Sequence, residues 1–198
     1  MRIRVLLQIK SRIWQNRILH EYKDACTLPA LSSAPSLTTW QAPPSGFMKI
    51  NTNGTASGGN PSCTGVAIRD CRGCLIATSS KVLPSTFSTE VTEALALLDG
   101  VLLALELGIF RVIFESDALS IIQAINESVL GGELGHIVQN IKDISSSFSW
   151  CSFQHLNRSG NRTAHELARA ARDSGVMQVW KGVCPSFVEH IILKDVYV

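Results

Sequence analysis

FMKINTNGTASGGNPSCTGVAIRDCRGCLIATSSK, residues 47–81, decides how the rest of the chain is read. FMKINT (47–52) alternates apolar and polar side chains with a period of two, the pattern of a strand with one buried face. Residues 54–61 are a run of Gly, Asn and Ser and are expected to form a loop. CTGVAIRD (63–70) and CLIATSSK (74–81) are two further strands, and Cys71-Arg72-Gly73 between them has the length of a tight hairpin turn. An antiparallel run of three strands therefore opens the folded region.

Beyond it the period changes. Residues 88–108 form a long helix: Ser88 suits the N-cap, Glu90 suits the positive first turn, and Gly108 ends it. Val91, Leu95, Leu98, Leu102 and Leu105 recur at three and four and are expected to form its buried face. FRVIFES (110–116) reads as a strand. Residues 117–125 form a short helix, and 134–148 another with Ile137, Ile141 and Ile144 inside. SWCSFQHL (149–156) is a fifth strand, and 161–174 a helix with Ala164, Leu167, Ala168 and Ala171 on one side. The order βββ–α–β–α–α–β–α predicts an α/β fold. Its sheet is mixed and five-stranded, three antiparallel strands then parallel additions, with helices on both faces.

Three regions follow. Residues 1–46 are a basic leader, helical in pattern over 1–28, with a Pro/Ser/Thr-rich linker over 27–46. Residues 47–175 are the domain, and 176–198 a tail that repeats an apolar pattern in FVEHIIL (187–193). The net charge of +2 is not that of a strongly basic nucleic-acid binder, but it is unevenly spread. Residues 1–40 hold six Lys/Arg against two acids, and the remainder holds 12 against 14. The apolar stretch 94–105 is broken by Asp99 and too short for a bilayer span, and no signal peptide is recognisable. An intracellular protein, nuclear or cytoplasmic and not secreted, with no membrane contact is expected. Cys71 and Cys74 have zinc-like spacing without a second pair, so a turn with small apolar flanks is the favoured reading.

Three residues stand out for chemistry. Asp117 follows a buried strand, where ligand sites collect, and equally suits a helix N-cap. Glu93 lies in the first turns of an apolar helix, either as a solvated acid or turned toward the sheet. His155 ends a strand before the polar loop 157–160, as a hydrogen-bonded surface residue or a proton carrier. Phosphate-binding glycine loops and nucleophile elbows are missing from the sequence.

Read together, Trp40 with Ala42-Pro43-Pro44, Lys49-Ile50-Asn51-Thr52-Asn53-Gly54, Gly65 to Asp70, Glu93 to Leu97, Glu115-Ser116-Asp117, and Phe153-Gln154-His155 running to Asn161, Ala164, Leu167 and Ala168 form an ordered series. The series resembles the ribonuclease H-like domain (type 1) of plant retroelement-derived, reverse transcriptase-like proteins. That resemblance implies the ribonuclease H-like form of the fold, and hydrolysis of the RNA strand of an RNA–DNA hybrid with two Mg²⁺ held by four acids. It carries the four metal positions to Asn53, Glu93, Asp117 and His165, two of which are not acidic. It makes His155 a proton-transfer or product-release residue, and Gly54 and Asn161 nucleic-acid contacts. The imidazole of His165 suits Mn²⁺ better than Mg²⁺. The reading is thus an impaired hybrid nuclease, alternatively a non-catalytic hybrid- or RNA-binding module or an inactive relic. A monomer is expected, and protein partners are not indicated.

Overall fold

The computed structural model describes residues 39–58, 60–127 and 132–197. The helical pattern read over 1–28 lies outside them. In chain order the elements are β1 (Met48–Ser57), β2 (Asn60–Arg69), β3 (Leu75–Val82), α1 (Thr89–Glu106), β4 (Arg111–Ser116), α2 (Leu119–Glu127), α3 (Gly132–Ser145), β5 (Trp150–His155), α4 (Arg162–Ser174), β6 (Gln178–Lys181) and α5 (Ser186–Tyr197).

One six-stranded sheet runs in the order β5-β4-β1-β2-β3-β6. β1 with β2, β2 with β3 and β3 with β6 pair antiparallel, while β4 pairs parallel to β1 and β5 parallel to β4. The five expected strands are all present. A sixth, β6, comes from the segment read as a tail, and α5 follows it. Four residues with little alternation gave no strand signal; pairing with β3 makes them one.

The expected loop over 54–61 is instead mostly strand. β1 continues to Ser57 and β2 starts at Asn60, with a register shift between Thr55 and Ser57. Glycine and asparagine disfavour strands only by weak intrinsic terms, and ladder pairing overrides them. The turn at 71–73 forms as read. Asp70 Oδ1 accepts from the backbone N–H groups of Arg72 at 2.9 Å and Cys74 at 2.8 Å, and Gly73 carries φ +78°.

Alternation divides the sheet into two faces. Ile50, Val66, Ile68, Ala77, Val112 and Phe114 point to one side and form the main core with α1. Phe114 stacks on Phe153, ring centroids 5.0 Å apart. On the other side Ala67, Leu167 and Val188 make a second, smaller core under α4 and α5.

The buried face of α1 is only in part the one expected: Val91 is buried as read. Ala94, Leu97, Val101 and Ala104 are fully buried, whereas Leu102 is 46% exposed. Small residues mark the contact with the sheet: a Cβ on Gly100 would stand 2.8 Å from Thr52 Cγ2. A helix this close to the sheet presents a stripe rich in alanine and glycine, with Leu97 in it, and turns Leu98, Leu102 and Leu105 sideways. Leu98 and Leu105 flank the core half-buried. The N-cap is as read, Ser88 Oγ accepting from Val91 N–H at 3.2 Å. Within the described residues no helix is long and apolar enough to cross a membrane.

Candidate active site

Parallel pairing aligns three strand ends. Thr52 of β1 faces Ser116 of β4, and Ser116 faces His155 of β5. Asn53 and Asp117 are the next residues along their chains. The carboxyl ends of adjacent parallel strands are where α/β folds collect ligand groups, since the following chain is free to turn away.

Glu93 reaches the same region from α1. It can do so because Gly54 has no side chain: a Cβ there would lie 2.6 Å from the backbone nitrogen of Glu93. The close approach lets Gly54 N–H donate to Glu93 Oε2 at 2.8 Å. Gly54 therefore positions Glu93, a role the sequence reading did not give it.

Asn161, at the N-terminus of α4, is almost wholly buried and clamps the site from the other side. Its Nδ2 donates to Thr52 O at 2.8 Å and to Asp117 Oδ1 at 2.6 Å. One amide thus ties the ends of β1 and β4 to the start of α4. The short carboxylate contact fixes the Asp117 side chain.

Asn53 is buried, 3% exposed. Its Nδ2 donates to Gly54 O at 3.1 Å and Thr55 Oγ1 at 3.2 Å, so both amide hydrogens are spent locally. His165 sits one turn into α4, half-buried. Arg158, from the loop after β5, brings Nη2 to within 3.3 Å of His165 Nε2.

Electrostatics ties these groups together. Burial pushes the Glu93 carboxyl up to about 8; the Gly54 N–H opposes this, Asp117 adds to it and Arg158 opposes it. Burial, followed by the Arg158 charge, holds the His165 imidazole below its usual range, against Glu166 and Asp117. Glu93, Asp117, His165 and Arg158 therefore share one field. Asn53 and His155 adjoin it through the strand ladder.

The donor set does not match a two-cation cage. Among the described residues no group of three His, Cys, Asp or Glu side chains converges closely enough to hold a metal ion. Two carboxylates, Glu93 and Asp117, are present, and His165 lies beside an arginine. The arrangement can instead receive an anion at Arg158 and donate or accept single protons at Glu93 and His165.

Behind the site, on the α4 face of the sheet, lies a buried polar chain without a role in the sequence reading. Lys49 Nζ meets Glu115 Oε1 at 2.7 Å, and Asn51 Nδ2 donates to Glu115 Oε2 at 2.9 Å. Arg69 Nη2 donates to Asn51 Oδ1 at 3.1 Å, and Arg69 Nη1 to Asp195 Oδ2 at 2.7 Å. The Arg69 guanidinium also lies 3.6 Å from the Trp40 ring centroid. Polar residues at inward positions of β1 and β2, Asn51 and Arg69, were the available signal. A lysine, an arginine and a glutamate on otherwise buried strands must find each other.

Residues 51–171 match the model of the reverse transcriptase-like family. Among solved structures the chain is similar to the RNase H1 of the halophilic archaeon Halobacterium salinarum NRC-1, with 18% identity, a TM-score of 0.61, and coverage of 65% of this chain and 99% of that one. It is also similar to LC11-RNase H1 solved with an RNA/DNA hybrid, with 25% identity, a TM-score of 0.59, and coverage of 65% and 98%. The same protein is described elsewhere as isolated from compost by a metagenomic approach. The N-terminal RNase H domain of a Mycobacterium tuberculosis protein gives 20% identity, a TM-score of 0.59, and coverage of 64% and 99%. No curated protein matches the chain.

Proposed function

The chain belongs to the reverse transcriptase-like family and carries an RNase H-like domain, and from that premise we propose that it binds RNA–DNA hybrid or RNA while its two-metal hydrolysis is impaired. The lineage proposed is the retroelement-derived plant type, on the order of motifs from Trp40 to Ala168. The observation that carries the reading is the pairing of Arg158 with His165 beside a neutral Asn53. Two of four positions that would neutralise divalent cations supply no charge, and an arginine stands against one of them.

Asn53 brings no carboxylate charge to this position. At about 3 Å and an effective dielectric of about 20, one such charge is worth ~5 kcal/mol against each unit of metal charge, before desolvation. Its loss outweighs what a neutral amide oxygen returns. Mg²⁺ is the ion implied by the resemblance, and Mn²⁺ suits His165 better, but the residues present do not fit two ions. Phosphate attraction needs no metal, because Arg158 supplies positive charge at the strand ends.

The test is hybrid binding by fluorescence anisotropy over a salt series, in Mg²⁺ and in chelator, with cleavage followed in parallel. Expected is salt-sensitive binding that survives chelation, with cleavage absent or slow. Rapid Mg²⁺-dependent cleavage by chain with Asn53 intact would overturn the impairment. Failure to bind hybrid or RNA at low salt would overturn the nucleic-acid reading.

A further inference from the structure

β6 (Gln178–Lys181) stands last in the sheet order and is paired on one side alone, antiparallel to β3. Gly182 N–H donates to Ile76 O, so alternation turns the backbone groups of Trp180 and Gln178 to β3 and those of Val179 and Lys181 outward. Among the described residues no bond reaches those outward groups. The same edge is apolar. Seven of the ten exposed large hydrophobic side chains among the described residues lie between residues 176 and 196. Val176, Met177, Val179 and Val183 belong to β6 or its immediate flanks, so the exposed apolar surface gathers at the open edge instead of being scattered.

Sheet edges are ordinarily blunted by a proline, a bulge or an outward lysine. β6 has no proline and no register shift against β3. Its lysine, Lys181, is drawn back toward α1, where Glu106 Oε1 meets Nζ at 2.6 Å. The edge is also complementary to itself. Residues 176–184, VMQVWKGVC, carry apolar pairs at both ends and Trp180 in the middle. A two-fold axis beside Trp180 sets Val179 of each copy opposite Lys181 of the other, with no like charges opposed. It brings Met177 of each copy toward Val183 of the other. An axis at Lys181 would oppose two lysines, and one at Val179 would leave Lys181 to pair with Met177, outside β6. A Lys181–Glu106 pair from each copy flanks the Trp180 axis, so the charges gathered there sum to zero.

We propose that β6 pairs antiparallel with β6 of a second copy of this chain, joining the two sheets into one about a two-fold axis at Trp180. Val179 of each copy exchanges both backbone bonds with Lys181 of the other. Trp180, which lies on the α4 face against Phe187, packs there against Trp180 of the second copy. This replaces the monomer expected from sequence, where β6 gave no strand signal. So short an edge buries less than a permanent interface does, and the pair therefore forms weakly and with rising concentration. The candidate site at the ends of β1, β4 and β5 lies away from this edge and stays open in both copies. The pairing does not rest on that site's chemistry.

Sedimentation of the full chain over about a hundredfold range of concentration should move its mass from one chain toward two and no further. Val179→Pro removes an outward N–H. Because that group makes no bond to β3, the dilute variant should melt as the natural chain does and stay monomeric at every concentration. Val179→Lys sets a lysine opposite Lys181 of the second copy and should weaken association roughly tenfold, whereas Val179→Glu sets a carboxylate there and should keep or tighten it. This opposite response decides the matter even where the proline variant fails to fold. A natural chain that is monomeric throughout overturns the pairing and leaves the edge to a strand of another protein. Association that all three variants leave unchanged overturns it too, by placing the contact on another surface. Equal weakening by lysine and glutamate overturns the register at Trp180, and a mass beyond two chains overturns the closed two-fold pair.

Discussion

Asn53→Asp returns one charge to the strand ends and should lower stability when metal is absent and raise hybrid cleavage when metal is present. Asn53 is 3% exposed, and its amide nitrogen donates to Gly54 O and Thr55 Oγ1. Aspartate loses both donations, about 1 kcal/mol each. It also adds a carboxylate to a field already holding Asp117 and a Glu93 pushed up to about 8. At about 5 Å and an effective dielectric of about 20, that repulsion is ~3 kcal/mol. Partial protonation and solvent relieve part of the total, so a metal-free loss of about 2–4 kcal/mol is expected, a fall in melting temperature on the order of 5–10 °C. Divalent metal should reverse it, since each unit of metal charge gains ~5 kcal/mol at contact distance. The assay is thermal unfolding in chelator, Mg²⁺ and Mn²⁺, alongside hybrid cleavage, with Asn53→Asp/Asp117→Asn as control. Expected are a melting temperature that rises with metal in the single variant only, and cleavage at least about tenfold above the natural chain. Because Asn53 precedes Gly54, mass spectrometry of that peptide establishes that the reference protein is fully amidated. Equal cleavage by amidated natural chain, or a metal-insensitive melting temperature in Asn53→Asp, would refute the argument that charge here is limiting.

Glu93→Gln tests the burial of the second acid. The folded-state value is raised from 4.5 to about 8, so between those limits the unfolded chain releases a proton that the folded chain keeps. Stability of the natural chain therefore falls as pH rises through that window, by up to ~1.4 kcal/mol per unit. The glutamine variant should match it near pH 4 and melt higher at pH 8; parallel pH profiles would refute this. Asp195→Asn leaves the buried Arg69 without its ion pair, and a loss of about 2–4 kcal/mol in urea unfolding is expected; a change under about 0.5 kcal/mol would show that Asn51 and Trp40 suffice. Deleting residues 1–38 should leave the melting temperature nearly unchanged, on the Pro/Ser/Thr-rich composition of 27–46; a fall of more than about 5 °C would show that the leader packs on the domain.

The sheet was legible because its signals are local. FMKINT and FRVIFES carry strand periodicity in six or seven residues, and their parallel partnership follows from the intervening helix. The face of α1 was not legible, because proximity to the sheet selects Ala94, Gly100 and Val101 over bulkier leucines, and proximity is a tertiary fact. β6 failed for a similar reason: Gln178–Lys181 becomes a strand through β3 alone. At the candidate site the strand-end positions were readable one by one from the motif order. The couplings between them were not. That Gly54 admits Glu93, that Asn161 binds Asp117, and that Arg158 meets His165 depend on distances between elements 39, 44 and 7 residues apart.

The Arg69–Asp195 pair spans 126 residues, and it bears on how the chain is made. During synthesis β2 emerges long before α5. A nascent chain that closed its sheet after α4 would enclose a guanidinium with Asn51 and Trp40 against it, and with Glu115, itself paired to Lys49, as its nearest countercharge. That penalty holds the α4 face open until α5 has left the ribosomal tunnel. Protease resistance of stalled nascent chains should accordingly appear in one step, when Asp195 clears the exit, rather than gradually as strands are added.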